Sequence, residues 1–375
     1  MANILILGGG FGGLITAEKL AASIGSQHQI TLVSPSPKFT FYPALVELAF
    51  GKCERDEITF DLRMKLDEIK VRFVQGEIVR HNADRRTVQT AGPDFEGEIG
   101  YDYLVIAVGR RLATERVPGF FEYAHHLLGA GAALKFGDAV RGFRSGRIIV
   151  GGCPESRLPV PVCEVAFALA RQFAAGIRSG ETSISVIFPD SLREAFGGAD
   201  IHTELETAFK THGINVLYDI PICEITPDEV FSSDKHKINY DLLMLVPPFR
   251  GNAVFRHTCN TDDADFLEVD GYMRVQGQER TYAVGDIAAF PGPKFAHMAV
   301  RQAGVAAANI ISEIKGEQPN SEYYHEIATV IDAGGAESIY LHYGIWDETH
   351  YKVKKGRFWS WAKDIHDTYW RARHS

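Results

Sequence analysis

Ile4-Leu5-Ile6-Leu7-Gly8-Gly9-Gly10-Phe11-Gly12-Gly13 decides the fold. Four consecutive apolar residues suit a short strand buried on both faces, as in a parallel sheet covered by helices. Gly8, Gly10 and Gly13 then match G-x-G-x-x-G. The first glycine permits a tight turn, the second lets the backbone approach a pyrophosphate, and the third lets a helix pack on the strand. Leu14-Ile15-Thr16-Ala17-Glu18-Lys19-Leu20 reads as that helix. Its N-terminus presents unpaired N–H groups and the positive end of its dipole to the phosphates. The glycines alone are weak evidence; the strand before them, the helix after them and a second strand at Gln29-Ile30-Thr31-Leu32-Val33 make a dinucleotide site the reading. One element differs. Ser34 replaces the acidic residue that usually closes the second strand and holds the ribose hydroxyls. A serine hydroxyl bonds a ribose less firmly than a carboxylate does.

Working outward, the 375 residues suit two to three domains of about 150 residues each. With 45% hydrophobic and 23% charged residues, the composition is that of a globular protein and excludes disorder, collagen and a disulfide scaffold. No apolar run approaches the ~20 residues of a spanning helix. No basic leader precedes the first apolar run, so no secretory signal is read. Five cysteines, an odd number, point to a reducing compartment or to redox use. The net charge is −9. Lys352 to Ser375 carries seven basic and two acidic residues, so this tail is at +5 and the preceding chain at −14. An acidic body excludes nucleic acid as a partner. His125, His126, His202, His212 and His236 lack metal-ligand spacing, so no metal is expected. Neither a G-x-S-x-G elbow nor a Walker A loop is present, which removes hydrolase and phosphoryl-transfer chemistry.

Two later stretches bear on which dinucleotide it is. Thr281-Tyr282-Ala283-Val284-Gly285-Asp286-Ile287-Ala288 reads as a buried strand ending in Gly-Asp, and Tyr101 to Gly109 as another strand ending in a small-residue turn. With the N-terminal glycines, and in this order, they resemble the flavoprotein reductases built from two dinucleotide-binding domains. That resemblance implies FAD, with Asp286 at its ribityl and phosphate region and the helix from Ala299 to Ile314 pointing at the flavin ring. It implies an α/β fold of two Rossmann-like domains. Residues 1–110 and 265–320 form the FAD domain, 111–264 a second domain with a degenerate NAD site, and 321–375 a C-terminal segment. The expected FAD contacts are Gly8, Gly10, Phe11, Gly12, Gly13, Ser34, Pro35, Lys38, Pro43, Ile78, Ala107, Gly109, Arg110, Gly285, Asp286, Lys294 and Ala296. Lys294 is expected near the pyrimidine edge of the flavin, where a cation stabilises the reduced anion.

The second domain opens as another dinucleotide fold would, with Gly146 to Gly152 as its strand, but no glycine turn follows. Three prolines lie between Cys153 and Glu164, and proline lacks the N–H donors a pyrophosphate needs. Tight NAD(P)H binding is therefore not expected. This turn, with Ser34 to Leu45 and Lys294 to Met298, resembles the sulfide:quinone oxidoreductases and flavocytochrome sulfide dehydrogenases. Type II NADH:quinone reductases are the neighbouring branch. The resemblance makes Glu164 the acid–base candidate beside the flavin and quinone; a helix-start acid facing the dipole is the structural alternative. It also exposes a departure. The relay cysteine six residues before that glutamate is Leu158 here, and Ala328 to Gly335 contains no cysteine. Cys153 and Cys163 flank the turn as a substitute pair, or are buried small hydrophobes. Cys153, directly after the strand, is expected at the ligand edge of the sheet.

From Gly356 to Arg373 the tail reads as a helix with Phe358, Trp361, Ile365 and Tyr369 on one face. Aromatic and basic residues together suit a membrane interface, with a dock on the body or on a second copy as the alternative. The resulting expectation is an FAD oxidoreductase moving electrons from a small, sulfide-like donor to a quinone. It would sit peripherally on the cytoplasmic side of a membrane, with a homodimer left open. The alternatives are NADH:quinone reduction, with a nicotinamide donor, and a flavin-bearing redox partner without sulfide turnover.

Overall fold

Ile4, Leu5, Ile6 and Leu7 are all buried because their strand lies in the middle of a parallel sheet. The computed structural model describes residues 1–348 and 350–374. β1 (Asn3–Leu7), α1 (Phe11–Ile24), β2 (Gln29–Ser34), β3 (Arg72–Gln75) and β4 (Tyr103–Ile106) come first. The inserted unit follows with β5 (Gly146–Gly152), α2 (Pro159–Gln172), β6 (Thr182–Ile187), β7 (Ile214–Leu217) and β8 (Leu242–Val246). β9 (Thr281–Ala283) rejoins the first sheet, and α3 (Ala296–Ile314) returns over it. β10 (Glu326–Ile331), β11 (Ile339–Gly344) and β12 (Tyr351–Lys355) form an antiparallel sheet, and α4 (Arg357–His374) ends the chain. The first sheet has the order β9-β4-β1-β2-β3 and the inserted sheet β7-β6-β5-β8, all strands parallel.

Alternate residues of each buried strand enter different cores, as the two-residue period of a strand requires. Ile4, Ile6 and Val105 pack in one cluster with Leu14 and Leu20 of α1 and Ala306 and Ile310 of α3. Leu5, Leu7, Leu104 and Ile106 face the other side, against Val88, Phe255 and Leu267. The inserted sheet repeats this. Ile148 and Val150 meet Val165 and Leu169 of α2, while Ile149 and Leu243 meet Phe120 and Val230.

Arg111–Leu112 and Phe249–Arg250 pair antiparallel, so both crossings between the units run side by side. Phe255 and Cys259 already belong to the core of the first unit. The boundary expected at residue 265 is therefore too late. The returning segment carries no long apolar run, so its packing left little trace in the sequence. Among the described residues, no helix is long and apolar enough to cross a membrane.

Candidate functional site: a cleft at the carboxyl edge of the first sheet

Gly8 follows β1, Ser34 ends β2, Ala107 and Gly109 follow β4, and Gly285 and Asp286 follow β9. In a parallel sheet these positions share the carboxyl edge, where ligand crevices form. Gly8 has φ +106°, and a Cβ there would run into the carbonyl oxygen of Ala107. A Cβ at Gly13 would run into the carbonyl oxygen of Gly8, which is the close helix–strand approach the third glycine permits. Gly10 is different: a Cβ there would meet nothing within 4 Å. Gly10 caps α1, no side chain caps that helix, and no acidic residue lies in its first turn. Its N–H groups and positive dipole end are left for an anion. Ser34 stands behind the turn, its Oγ 3.0 Å from where a Cβ on Gly9 would be. Gly12 backs on Val284. Lys38 is exposed on a short strand, and Pro35 accepts a hydrogen bond from Gln75 through its carbonyl oxygen. Ile78 packs against the second core cluster.

The opposite wall is charged. Arg110 pairs with Asp286, and its guanidinium lies 4.3 Å from the centre of the Phe249 ring. Its Nε is buried without a hydrogen-bond partner. A buried donor left unpaired costs about 1–3 kcal/mol, which a bound acceptor relieves. Gln302 of α3 accepts from the Gly285 N–H at 2.6 Å. Lys294, just before α3 begins at Ala296, is buried and donates to the carbonyl oxygen of Ala288. Burial first, then the charge of Arg157, pulls its ammonium well below the ordinary lysine range. Gly285, Asp286, Lys294 and Gln302 line a space of about 210 Å³ with Phe295 and His325. The open side of Gly10, the uncapped helix and the unpartnered Arg110 Nε fit a polyanionic dinucleotide.

A second cleft, of about 420 Å³, is lined by Pro43, Glu47, Phe50, Glu164, Asp332 and Lys363. Glu164 is 5% exposed. Its Oε1 accepts from the Asp332 N–H at 2.9 Å and from the Lys363 ammonium. Burial pushes the Glu164 carboxyl above the ordinary range, with Lys363 opposing. Glu164 is not a helix-start acid: α2 begins at Pro159, with Leu158 as its cap, and Glu164 lies more than a turn inside. The prolines enter the helix because its first positions need no N–H partner.

α4 roofs this cleft and has two unlike faces. Lys363, Asp367 and Trp370 point inward. Trp370 stacks on Phe39 and Phe41 with centroids 5.2 and 4.9 Å away, and lies 4.9 Å from Phe11, the residue after Gly10. Trp359 stacks on Tyr340 at 4.2 Å. Phe358, Trp361, Ile365 and Tyr369 point outward and are 47–64% exposed.

The cysteines correct an expectation. Cys153 and Cys163 are free and fully buried, Cys153 with Ile149 and Leu243, Cys163 with the core around α2. They belong to separate clusters and form no pair. Burial pushes both thiols far up, which disfavours a thiolate at either. Cys153 follows β5 as expected, but its N–H bonds to Val246 O at 2.9 Å and its side chain turns into the core instead of the ligand edge.

Residues 2–303 match the model of the pyridine nucleotide-disulphide oxidoreductase family. The chain belongs to this family. As a member it is an FAD-binding flavoprotein oxidoreductase. The mitochondrial sulfide:quinone oxidoreductase of Mus musculus is 24% identical over 339 residues, covering 86% of this chain and 73% of that protein. A type II NADH:quinone oxidoreductase of Haemophilus influenzae is 23% identical, covering 88% and 85%. The crystal structure of the Aquifex aeolicus sulfide:quinone oxidoreductase superposes with a TM-score of 0.90 at 22% identity, covering 98% and 90% of the two chains. At that identity the superposition establishes the fold.

In this flavoprotein the first-turn glycines, Arg110, Asp286 and Gln302 would hold FAD. Lys363, Asp332 and Trp370 were not singled out from the sequence as site residues. Lys363, Asp367 and Trp370, at spacings of four and three, share the face opposite the apolar stripe of the tail, and that periodicity is the signal the sequence carries. Asp332 acts through its backbone, which no sequence pattern reveals.

Proposed function

We propose that the protein passes electrons from a small, sulfide-like donor through FAD to a quinone at a membrane surface. The observation that carries this reading is the pairing of buried Glu164 with the partly buried Lys363 in a cleft roofed by a helix whose outer face is apolar. The relatives named for sulfide:quinone and NADH:quinone chemistry support quinone as the acceptor. Bound FAD would accept two electrons from the donor and deliver them to the acceptor. Quinone reduction also takes two protons. Glu164, whose carboxyl is raised by burial, would hold a proton for the acceptor, and the Lys363 ammonium, kept charged by that carboxylate, would stabilise the anion left when the proton leaves. Pro43 and Phe50 line the same cleft and limit water around the pair. Arg110 and the first turn of α1 orient the cofactor phosphates.

The donor side departs from a cysteine relay. Leu158 stands where the sulfide branch has a cysteine, and Cys153 and Cys163 are buried apart. These facts support a donor that reduces the flavin directly. Against NADH stand the prolines of the second turn and the pairing of its N–H groups: Cys153 to Val246 O, and Ser156 to Cys153 O at 3.1 Å. The outward stripe of α4, with Arg357, Arg371 and Arg373 near its ends, suits the apolar and anionic layers of a lipid surface.

Anaerobic mixing with sulfide, and separately with NADH, tests the proposal. Bleaching of the flavin by sulfide alone is expected. Bleaching by NADH alone would instead make the protein an NADH:quinone reductase. Bleaching by neither would make it a flavin-bearing redox partner.

A further inference from the structure

The turn after β5 stands at the carboxyl edge of the inserted sheet, where a second dinucleotide would lie. Glu155, three residues past β5, has φ +63°, a left-handed conformation costly for a residue with a side chain. It is held there from two sides. Its carbonyl oxygen accepts from the Phe249 N–H at 3.2 Å. Its carboxylate takes both oxygens to Arg250, at 2.7 and 2.8 Å, and lies 3.5 Å from Nε of Arg116. Arg250 has only 11% of its side chain exposed. Arg116 follows the outgoing crossing at Arg111–Leu112, and Arg250 belongs to the returning one. Guanidinium groups from beside both crossings therefore meet one carboxylate, Arg250 largely covered and Arg116 and Glu155 about half exposed, and the chain answers both with its own anion.

We propose that Glu155 is an internal counter-anion that closes the second nucleotide site: its carboxylate occupies the Arg116–Arg250 pair that would otherwise bind the diphosphate of an external dinucleotide. Both Glu155 oxygens accept from Nη2 of Arg250, and guanidinium N–H groups donate alike to carboxylate and phosphate oxygens, so one anion excludes the other. Glu155 is then a specificity determinant. It rejects nicotinamide dinucleotides at the inserted domain and leaves flavin reduction to a small donor, and in that consequence it rests on the reading above.

The test uses the FAD-loaded protein and calorimetric titration with inorganic pyrophosphate, then with NADH. The wild type is expected to show no saturable binding of either up to about 1 mM. Glu155→Gln, which keeps the side chain and removes the charge, is expected to bind pyrophosphate at least about tenfold more tightly than the wild type. Adding Arg250→Ala to that variant should abolish the gain. Glu155→Ala guards against the amide itself blocking the pair. Retained flavin and an unchanged thermal midpoint establish that each variant is folded. If both Glu155 variants are folded and bind pyrophosphate no better than the wild type, the counter-anion role is overturned. The same holds if the gain persists without Arg250. Tight NADH binding by the wild type would overturn the exclusion of a nicotinamide donor and this proposal together, whereas silent Glu155 variants beside a silent wild type overturn this proposal alone.

Discussion

The ammonium of Lys363, on the last helix, bonds Oε1 of Glu164, 199 residues earlier in the chain. It joins the acid–base candidate to a segment expected from the sequence as a membrane contact, with a dock on the body or on a second copy as the alternative. The tail is therefore part of the site as well as its cover.

Glu164→Gln should slow reoxidation of reduced flavin by a soluble quinone about 100-fold, the scale of a lost general acid. Flavin content and the rate of flavin reduction should stay as in the wild type, because Glu164 touches neither Gly10 nor Asp286. Stopped-flow measurement of the two half-reactions separates these effects. Lys363→Ala leaves Glu164 buried without its cation and should lower stability by ~3 kcal/mol in urea denaturation.

Gly10→Leu should abolish FAD retention while leaving the protein folded. Its φ is −81° and its Cβ position is empty to 4 Å, so neither backbone strain nor a clash opposes a side chain. The same side chain would fill the approach to the first turn of α1. A folded, colourless protein is expected by circular dichroism and flavin absorbance. A yellow one would move the phosphates away from this turn.

Cys153→Ala with Cys163→Ala should leave flavin reduction by sulfide unchanged, because both thiols are buried in separate cores. Serine at either position should destabilise more than alanine, by ~1–3 kcal/mol, since a hydroxyl there enters an apolar core. Rapid-reaction kinetics and urea melts measure the two effects. Loss of reduction in the folded alanine variant would restore a cysteine relay.

Stability should fall on acidification from pH 6.5 to about 4. Burial lowers His81, His297 and His325 to about 4, against an ordinary value of 6.5. Between these values the unfolded chain binds more protons than the folded one. Stability is therefore complete above pH 6.5 and is lost as pH falls, by up to about 1.4 kcal/mol per pH unit for each histidine. His81 lies away from the cleft, bonded to Thr258 and Tyr101 at 2.7 and 2.9 Å. His81→Gln should reduce the slope without touching flavin content, as urea midpoints at pH 7.5 and 5 would report.

The first sheet was legible because its signals are local. A continuous apolar run followed by glycines admits few readings, and Asp286 and Gly109 end similar runs. The proline-rich turn was half legible. Missing N–H donors follow from proline itself, but the start of α2 at Pro159 does not, since helix positions without partners tolerate proline. Cys153 misled because its place after β5 is a ligand-edge place, while a turn of the backbone sends its side chain into the core. Lys363 and Trp370 were seen as part of an amphipathic helix, but their partners Glu164 and Phe11 lie about 200 and 360 residues away, beyond any periodicity.

The tail gives the last prediction, and its two faces give the means to test it. Deleting the chain from Gly356 onward should leave FAD bound, because the first turn and Asp286 lie upstream, and should release the protein from anionic vesicles. That deletion also removes Lys363 and Trp370, so loss of binding would not by itself identify the face responsible. Phe358→Ser, Trp361→Ser and Tyr369→Ser together change only outward positions that are 60–64% exposed. Each aromatic contributes on the order of 1–2 kcal/mol of apolar transfer, and each basic residue near an anionic surface about 1 kcal/mol. The triple variant should therefore detach from vesicles in flotation while keeping the Glu164–Lys363 bond and the reoxidation rate with a soluble quinone. Trp370→Ala should do the reverse: it should float with vesicles and reoxidise more slowly, because Trp370 packs on Phe11, Phe39 and Phe41 and holds the inner face of the helix that carries Lys363. Raising the salt should weaken flotation of the wild type, since the charges are screened over about 10 Å at 0.1 M. A triple variant that still floats would place the lipid contact on another surface and leave the outward stripe as a dock for a second copy.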